Sequence, residues 1–130
     1  MLGQALAHPT VFVRDLDRAR AFYEKLGLKV AAEVSTGIFM SAGNGTIFPL
    51  IHRADATPPS HTIAAFQIED LRATVDGLRA RGVVFEEYDT PGLRTVDCIA
   101  DMGDYHAAWI KDPDGNYIGL HEPPRQSRPS

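Results

Sequence analysis

The sequence predicts an α+β protein built from two tandem βαβββ modules, and three observations carry that expectation. Matching residues recur 55 positions apart: Val11 with Phe66, Val13 with Ile68, Asp15 with Asp70, Leu16 with Leu71, Gly27 with Gly82, Leu28 with Val83 and Val30 with Phe85. Further along, the match resumes at a spacing of 70, with Phe39 over Trp109, Asn44 over Asp114, Gly45 over Gly115 and Pro49 over Gly119. In both copies an Asp precedes an apolar stripe of helical period and a Gly follows it, which marks where a helix starts and stops.

Each copy opens with a short alternating run, residues 10–13 and 64–68, that reads as a strand ending at the capping Asp. The helices follow, with Leu16, Ala19, Phe22, Tyr23 and Leu26 on one stripe and Leu71, Val75 and Leu78 on the other. Both stripes are narrow enough to lie on a sheet. Gly27 and Gly82 stand where a left-handed C-cap belongs, and the apolar runs 28–34 and 83–87 then read as strands. Turns at 42–45 and 112–116 each join two more strands, because Asn-Gly and Asp-Gly pairs tolerate the positive φ of a tight hairpin. The step from 55 to 70 places an insertion within 88–104, where Pro91, Gly92 and Gly103 suggest a lid or an irregular loop with a short strand. One domain over 1–122 is expected, with modules at about 7–52 and 62–122, a linker at 53–61 and a flexible tail at 123–130.

With 13 Lys and Arg against 17 Asp and Glu, the net charge is −4, so no basic face is offered to nucleic acid. The apolar runs are too short to span a membrane and the first eight residues lack the pattern of a signal peptide, which predicts a cytoplasmic protein. Cys98, the single cysteine, excludes an internal disulfide and a Cys-type zinc site. It reads as a buried small apolar side chain. Phosphate loops, serine nucleophile elbows and metalloprotease spacings are missing from the sequence, and Asp112-Pro113-Asp114-Gly115 lacks the alternating ligands of a calcium loop and reads as a turn.

The two βαβββ copies, Asp15-Leu16 ahead of Ala21-Phe22-Tyr23 and Leu26-Gly27-Leu28, and the run from Ala108 through Trp109, Asp112, Pro113, Asp114 and Gly115 to Asn116 resemble the vicinal oxygen chelate superfamily. That superfamily includes glyoxalase I, extradiol dioxygenases, fosfomycin-modifying enzymes and bleomycin-type resistance proteins. The resemblance runs from about residue 7 to 122. It implies a cupped, incomplete barrel with helices outside and a small molecule inside, and commonly a homodimer.

Strand alternation under that fold sorts the side chains. If Val11 and Val13 face the helix, then His8, Thr10 and Phe12 face the cavity, as do Ile63, Ala65 and Gln67 in the second copy. The later strands contribute Phe39, Ser41, Ile47, Pro49 and Ile51, then Tyr105, Ala107, Trp109, Tyr117, Gly119 and His121. The resemblance also implies four metal positions, one on the first and one on the last strand of each copy, and here they hold His8, Pro49, Ile63 and Gly119. A catalytic divalent ion needs about three protein ligands, so no metal cofactor is expected. The alternative is a metal-dependent lyase, isomerase or extradiol-type dioxygenase in which His8 is joined by shifted ligands drawn from His61, His121, Glu122 and His52.

The inward set is instead rich in rings, and the repeat relates Phe39 to Trp109 as opposing walls for a flat ligand. Phe12, Tyr105 and Tyr117 add further rings, Pro49 adds an apolar surface, and His8, Ser41, Gln67 and His121 would orient the ligand by hydrogen bonds. The expected function is binding rather than catalysis: sequestration of a planar aromatic natural product, giving antibiotic resistance.

Overall fold

The structure is a computed structural model and describes residues 1–124. The tail expected from residue 123 onward therefore lies, from 125, outside the described residues. By their contacts the described residues fall into two compact units, one of residues 1–58 with 113–115 and the other of 59–112 with 116–124.

In the first unit, β1 (Val11–Val13) leads into α1 (Leu16–Lys25), followed by β2 (Lys29–Val34), β3 (Gly37–Ser41) and β4 (Ile47–His52). Asp15 caps α1 by accepting from the Arg18 N–H at 3.0 Å, a bond of the kind worth about 1 kcal/mol. Gly27 ends it at φ 105, where any side chain would be strained. The strands form an open sheet in the order β1-β4-β3-β2, with β1 parallel to β4 and the other pairs antiparallel. One face carries Val11, Val13, Ile38, Met40, Phe48 and Leu50, all buried, with Ala19 and Tyr23 of α1. The Tyr23 ring meets Phe48 at 5.0 Å.

The second unit repeats the plan with β5 (Thr62–Gln67), α2 (Leu71–Ala80), β9 (His106–Lys111) and β10 (Tyr117–Glu122). Asp70 caps α2 through the Ala73 N–H, and Glu122 accepts from the Leu71 N–H at 2.8 Å, which fills a second open donor of that helix end. Leu71, Val75 and Leu78 of α2 are buried, as are Ile110, Ile118 and Leu120 on the sheet. The 55 and 70 spacings reappear in the register. Val11 pairs with Leu50 as Phe66 does with Leu120, and Phe39 pairs with Pro49 as Trp109 does with Gly119.

Three expectations need correction. The run 83–87 is not a strand: only Phe85 bridges to Ile110, since the chain there turns away to start the insertion. The insertion is a set of short strands rather than a lid or irregular loop, with β6 (Asp89–Thr90), β7 (Leu93–Val96) and β8 (Ile99–Asp101) extending the sheet in the order β5-β10-β9-β8-β7-β6. Asp97 and Cys98 make the β7–β8 turn with both φ values positive, 49 and 75. That is type I′ geometry on residues that rarely announce it. Finally, β5 carries a bulge: Thr62 pairs with Tyr117 but Ala64 with Ile118, so Ile63 is the extra residue and the alternation breaks there. Thr62 thereby joins the row of Tyr117, a position that unbroken alternation does not give it.

Cys98 is buried, as its sequence context suggests. Burial and a hydrogen bond with Glu87 both push its thiol pKa up, which keeps it in the unreactive form. A thiol-exchange reagent at pH 8 is expected to label native Cys98 about an order of magnitude more slowly than the urea-unfolded chain. Equal rates would show that the thiol is open to solvent.

Candidate functional site

In each unit the sheet face opposite the helix carries strand residues singled out above. On the first unit, residues opposite one another in the register share a face, so Phe12, Ile51, Phe39, Pro49, Ser41 and Ile47 lie together. Phe12 is 42% exposed with the Arg53 guanidinium 5.4 Å from its ring centroid. Phe39 is half-buried and Pro49 buried, while the Ser41 hydroxyl donates to the Lys29 carbonyl at 3.3 Å. A polar rim is thus set against an apolar middle.

The second unit's face is three rows deep. Lys111, Tyr117 and Thr62 form one row, Trp109, Gly119 and Ala65 the next, and Ala107, His121 and Gln67 the third. The middle is floored by small residues, and a Cβ placed on Gly119 would come within 3.0 Å of His121 Nε2 and 3.6 Å of Ala65 Cβ. Trp109 stands beside that floor, half-buried, with the Tyr88 ring edge-on to it at 5.6 Å. Tyr88 is held there by the insertion, because its N–H donates to the Thr95 hydroxyl at 2.8 Å. Sequence reasoning did not find Tyr88, since no local pattern links it to β9.

Three residues expected at the site, Gln67, Tyr105 and His121, come together around one cleft of about 580 Å³, a size suited to a small ligand. The Tyr105 ring meets His121 at 5.8 Å with an interplanar angle of 62°. His8 is placed differently from expectation. It lies ahead of β1, exposed, with Nδ1 3.3 Å from the Pro9 carbonyl, because ladder pairing of β1 begins only at Val11 and Pro9 has no N–H to extend it. His61 is likewise exposed beside the Thr62 carbonyl at 3.1 Å.

The four positions at which the family resemblance places metal ligands do not fit an ion. Proline and glycine at 49 and 119 bring no side-chain donor atom, Ile63 is apolar and sits in a bulge, and the space a ligand side chain would need at Gly119 lies against His121. Among the described residues, no three His, Cys, Asp or Glu side chains converge so as to hold a metal.

A family model described as the Glyoxalase/Bleomycin resistance protein/Dioxygenase superfamily matches residues 5–120. No curated protein matches the chain. Among solved structures, the chain is similar to TnmS3, an antibiotic binding protein from Streptomyces sp. CB03234, at 27% identity and TM-score 0.64 over 92% of this chain and 96% of that one. It is also similar to a bleomycin-binding protein solved with bleomycin, at 20% identity and TM-score 0.71 over 92% and 98%. The fosfomycin resistance protein FosX from Listeria monocytogenes is similar at 18% identity and TM-score 0.69 over 97% and 98%. At these identities the likeness speaks for the fold.

Proposed function

Because this chain belongs to the Glyoxalase/Bleomycin resistance protein/Dioxygenase superfamily, whose fold serves binders and catalysts alike, we propose that it is a metal-independent binding protein that sequesters a planar aromatic natural product and so confers antibiotic resistance. The observation that carries this reading is the in-register pairing of an aromatic ring with a donor-free residue, Phe39 with Pro49 and Trp109 with Gly119, where a metalloenzyme of this fold would set its ligands. A half-buried aromatic ring on each face favours a flat partner, since stacking and area burial need close approach. The cleft bounded by Gln67, Tyr105 and His121 adds polar groups to fix its orientation. Antibiotic binding by two structural neighbours supports the choice of ligand class. Cytoplasmic residence and homodimeric assembly belong to the same proposal. No described helix is long and apolar enough to cross a membrane.

Trp109 is the only tryptophan, so its fluorescence reports on the site directly. Titration with a panel of planar aromatic antibiotics is expected to quench it saturably. In Trp109→Ala, the affinity measured by calorimetry should fall by about tenfold or more. Unchanged affinity in that variant overturns the stacking model.

A further inference from the structure

Lys111, Tyr117 and Tyr88 stand at one end of the Trp109 face, and the sequence-level site does not include Lys111 or Tyr88. Lys111 Nζ lies 4.9 Å from the Tyr117 ring centroid and 3.5 Å from the Glu86 carboxylate. The Glu86 N–H donates to the Trp109 carbonyl at 2.8 Å, which anchors that carboxylate beside β9. Tyr88 packs edge-on against Trp109. One ammonium and two phenols therefore border the ring expected to stack, at the opposite end of the face from His121 and Gln67.

We infer that Lys111, with the phenols of Tyr117 and Tyr88, is an anchor for an accepting oxygen on the planar ligand, and that the ligand class is a fused-ring ketone or quinone. The inference rests on the binding role proposed for Trp109 and deepens it. An ammonium has three donors, of which Glu86 uses one and Tyr117 engages another, so one remains to offer a ligand. Glu86 also neutralises the lysine charge locally. A ring carbonyl, which accepts without carrying full charge, then suits the anchor better than a carboxylate, which Glu86 would repel. The hydrogen bond with Tyr117 and the nearby Glu86 hold the Lys111 pKa above its ordinary value, while burial, helped by Tyr117 and Glu86, raises that of Tyr88. Both groups stay donors through neutral pH. The Lys111 and His121 rows are four residues apart along the strands, about 13 Å, which leaves length for a fused-ring skeleton between them.

Fluorenone and fluorene form the test pair, since they share a planar skeleton and differ in C=O against CH2. Trp109 fluorescence is titrated with each. Fluorenone is expected to bind about tenfold more tightly, the worth of one hydrogen bond to a charged donor. In Lys111→Met that preference should fall below about twofold with fluorene binding retained, and in Tyr117→Phe it should shrink partway. Saturable binding of both compounds with equal affinity, or a preference that survives Lys111→Met, overturns the anchor and leaves the stacking role of Trp109 standing. Failure of both compounds to bind the wild-type chain overturns the stacking reading and the anchor with it.

Discussion

Replacing Asp114 by alanine is expected to cost about 2–4 kcal/mol, read as a fall in the urea midpoint with little change of slope. Its side chain is only 2% exposed, and Oδ1 accepts from the Arg14 backbone N–H at 2.9 Å, from Arg14 Nε at 2.9 Å and from an Arg18 Nη at 3.2 Å. Alanine leaves those donors without their acceptor next to the start of α1. Both arginine side chains are nearly half exposed, at 45% and 47%, so they recover some hydration and the loss stays below that of a fully enclosed charge pair. Asp114→Asn separates charge from geometry. It keeps an acceptor for the Arg14 N–H and should cost about half as much. A loss under about 0.5 kcal/mol in Asp114→Ala would mean that the cluster behaves as an ordinary surface ion pair.

Gly37→Ala is expected to be at least as damaging, about 3 kcal/mol or more, with loss of cooperative unfolding as an equally informative outcome. Gly37 is buried and pairs with Ile51 across β3 and β4, and a Cβ there would collide with the Leu50 carbonyl oxygen and press on the Ile51 Cα. The obstacle is backbone, so relief requires the two strands to part, and with them the register that sets Phe39 beside Pro49. Gly77→Ala provides the opposite sign. Gly77 lies within α2, exposed, and its added Cβ meets nothing within 4 Å. That substitution should raise stability by about 0.5–1 kcal/mol, because alanine restricts the unfolded chain and favours the helix. Similar effects at 37 and 77 would refute the close approach of β3 and β4.

Much of the fold is legible in the sequence because it rests on local signals. Asp15 and Asp70 cap their helices, Gly27 and Gly82 end them at positive φ, and the 112–116 turn closes on itself, with Asp112 accepting from both the backbone N–H and the side-chain amide of Asn116 at 2.9 Å. Each involves residues no more than about five apart, and the repeat supplies an internal second opinion on every one. The 70 spacing also relates Phe39 to Trp109 and Pro49 to Gly119, and the ladders then set each ring beside the second residue of its own unit.

The details of the site were not legible in the sequence. Parity leaves Thr62 off the ligand face, but a bulge at Ile63 pairs Thr62 with Tyr117, and a bulge is an outcome of fitting β5 against β10 that neither strand announces alone. The β7–β8 turn uses Asp97 and Cys98 where Asn-Gly would have been recognised, so the insertion concealed its strands. Only with those strands in place does Tyr88 reach Trp109, across 21 residues of chain. The sequence by itself determined the repeat, the capped helices and which residues alternate along a strand, since helical and strand periods are written into neighbouring residues. The tertiary structure alone decided the registers with bulges, the grip of Arg14 and Arg18 on Asp114, and the cluster of Lys111, Tyr117 and Tyr88. Those depend on side chains distant in sequence meeting at a few ångströms, where packing and hydrogen-bond satisfaction choose among arrangements that local pattern leaves equal.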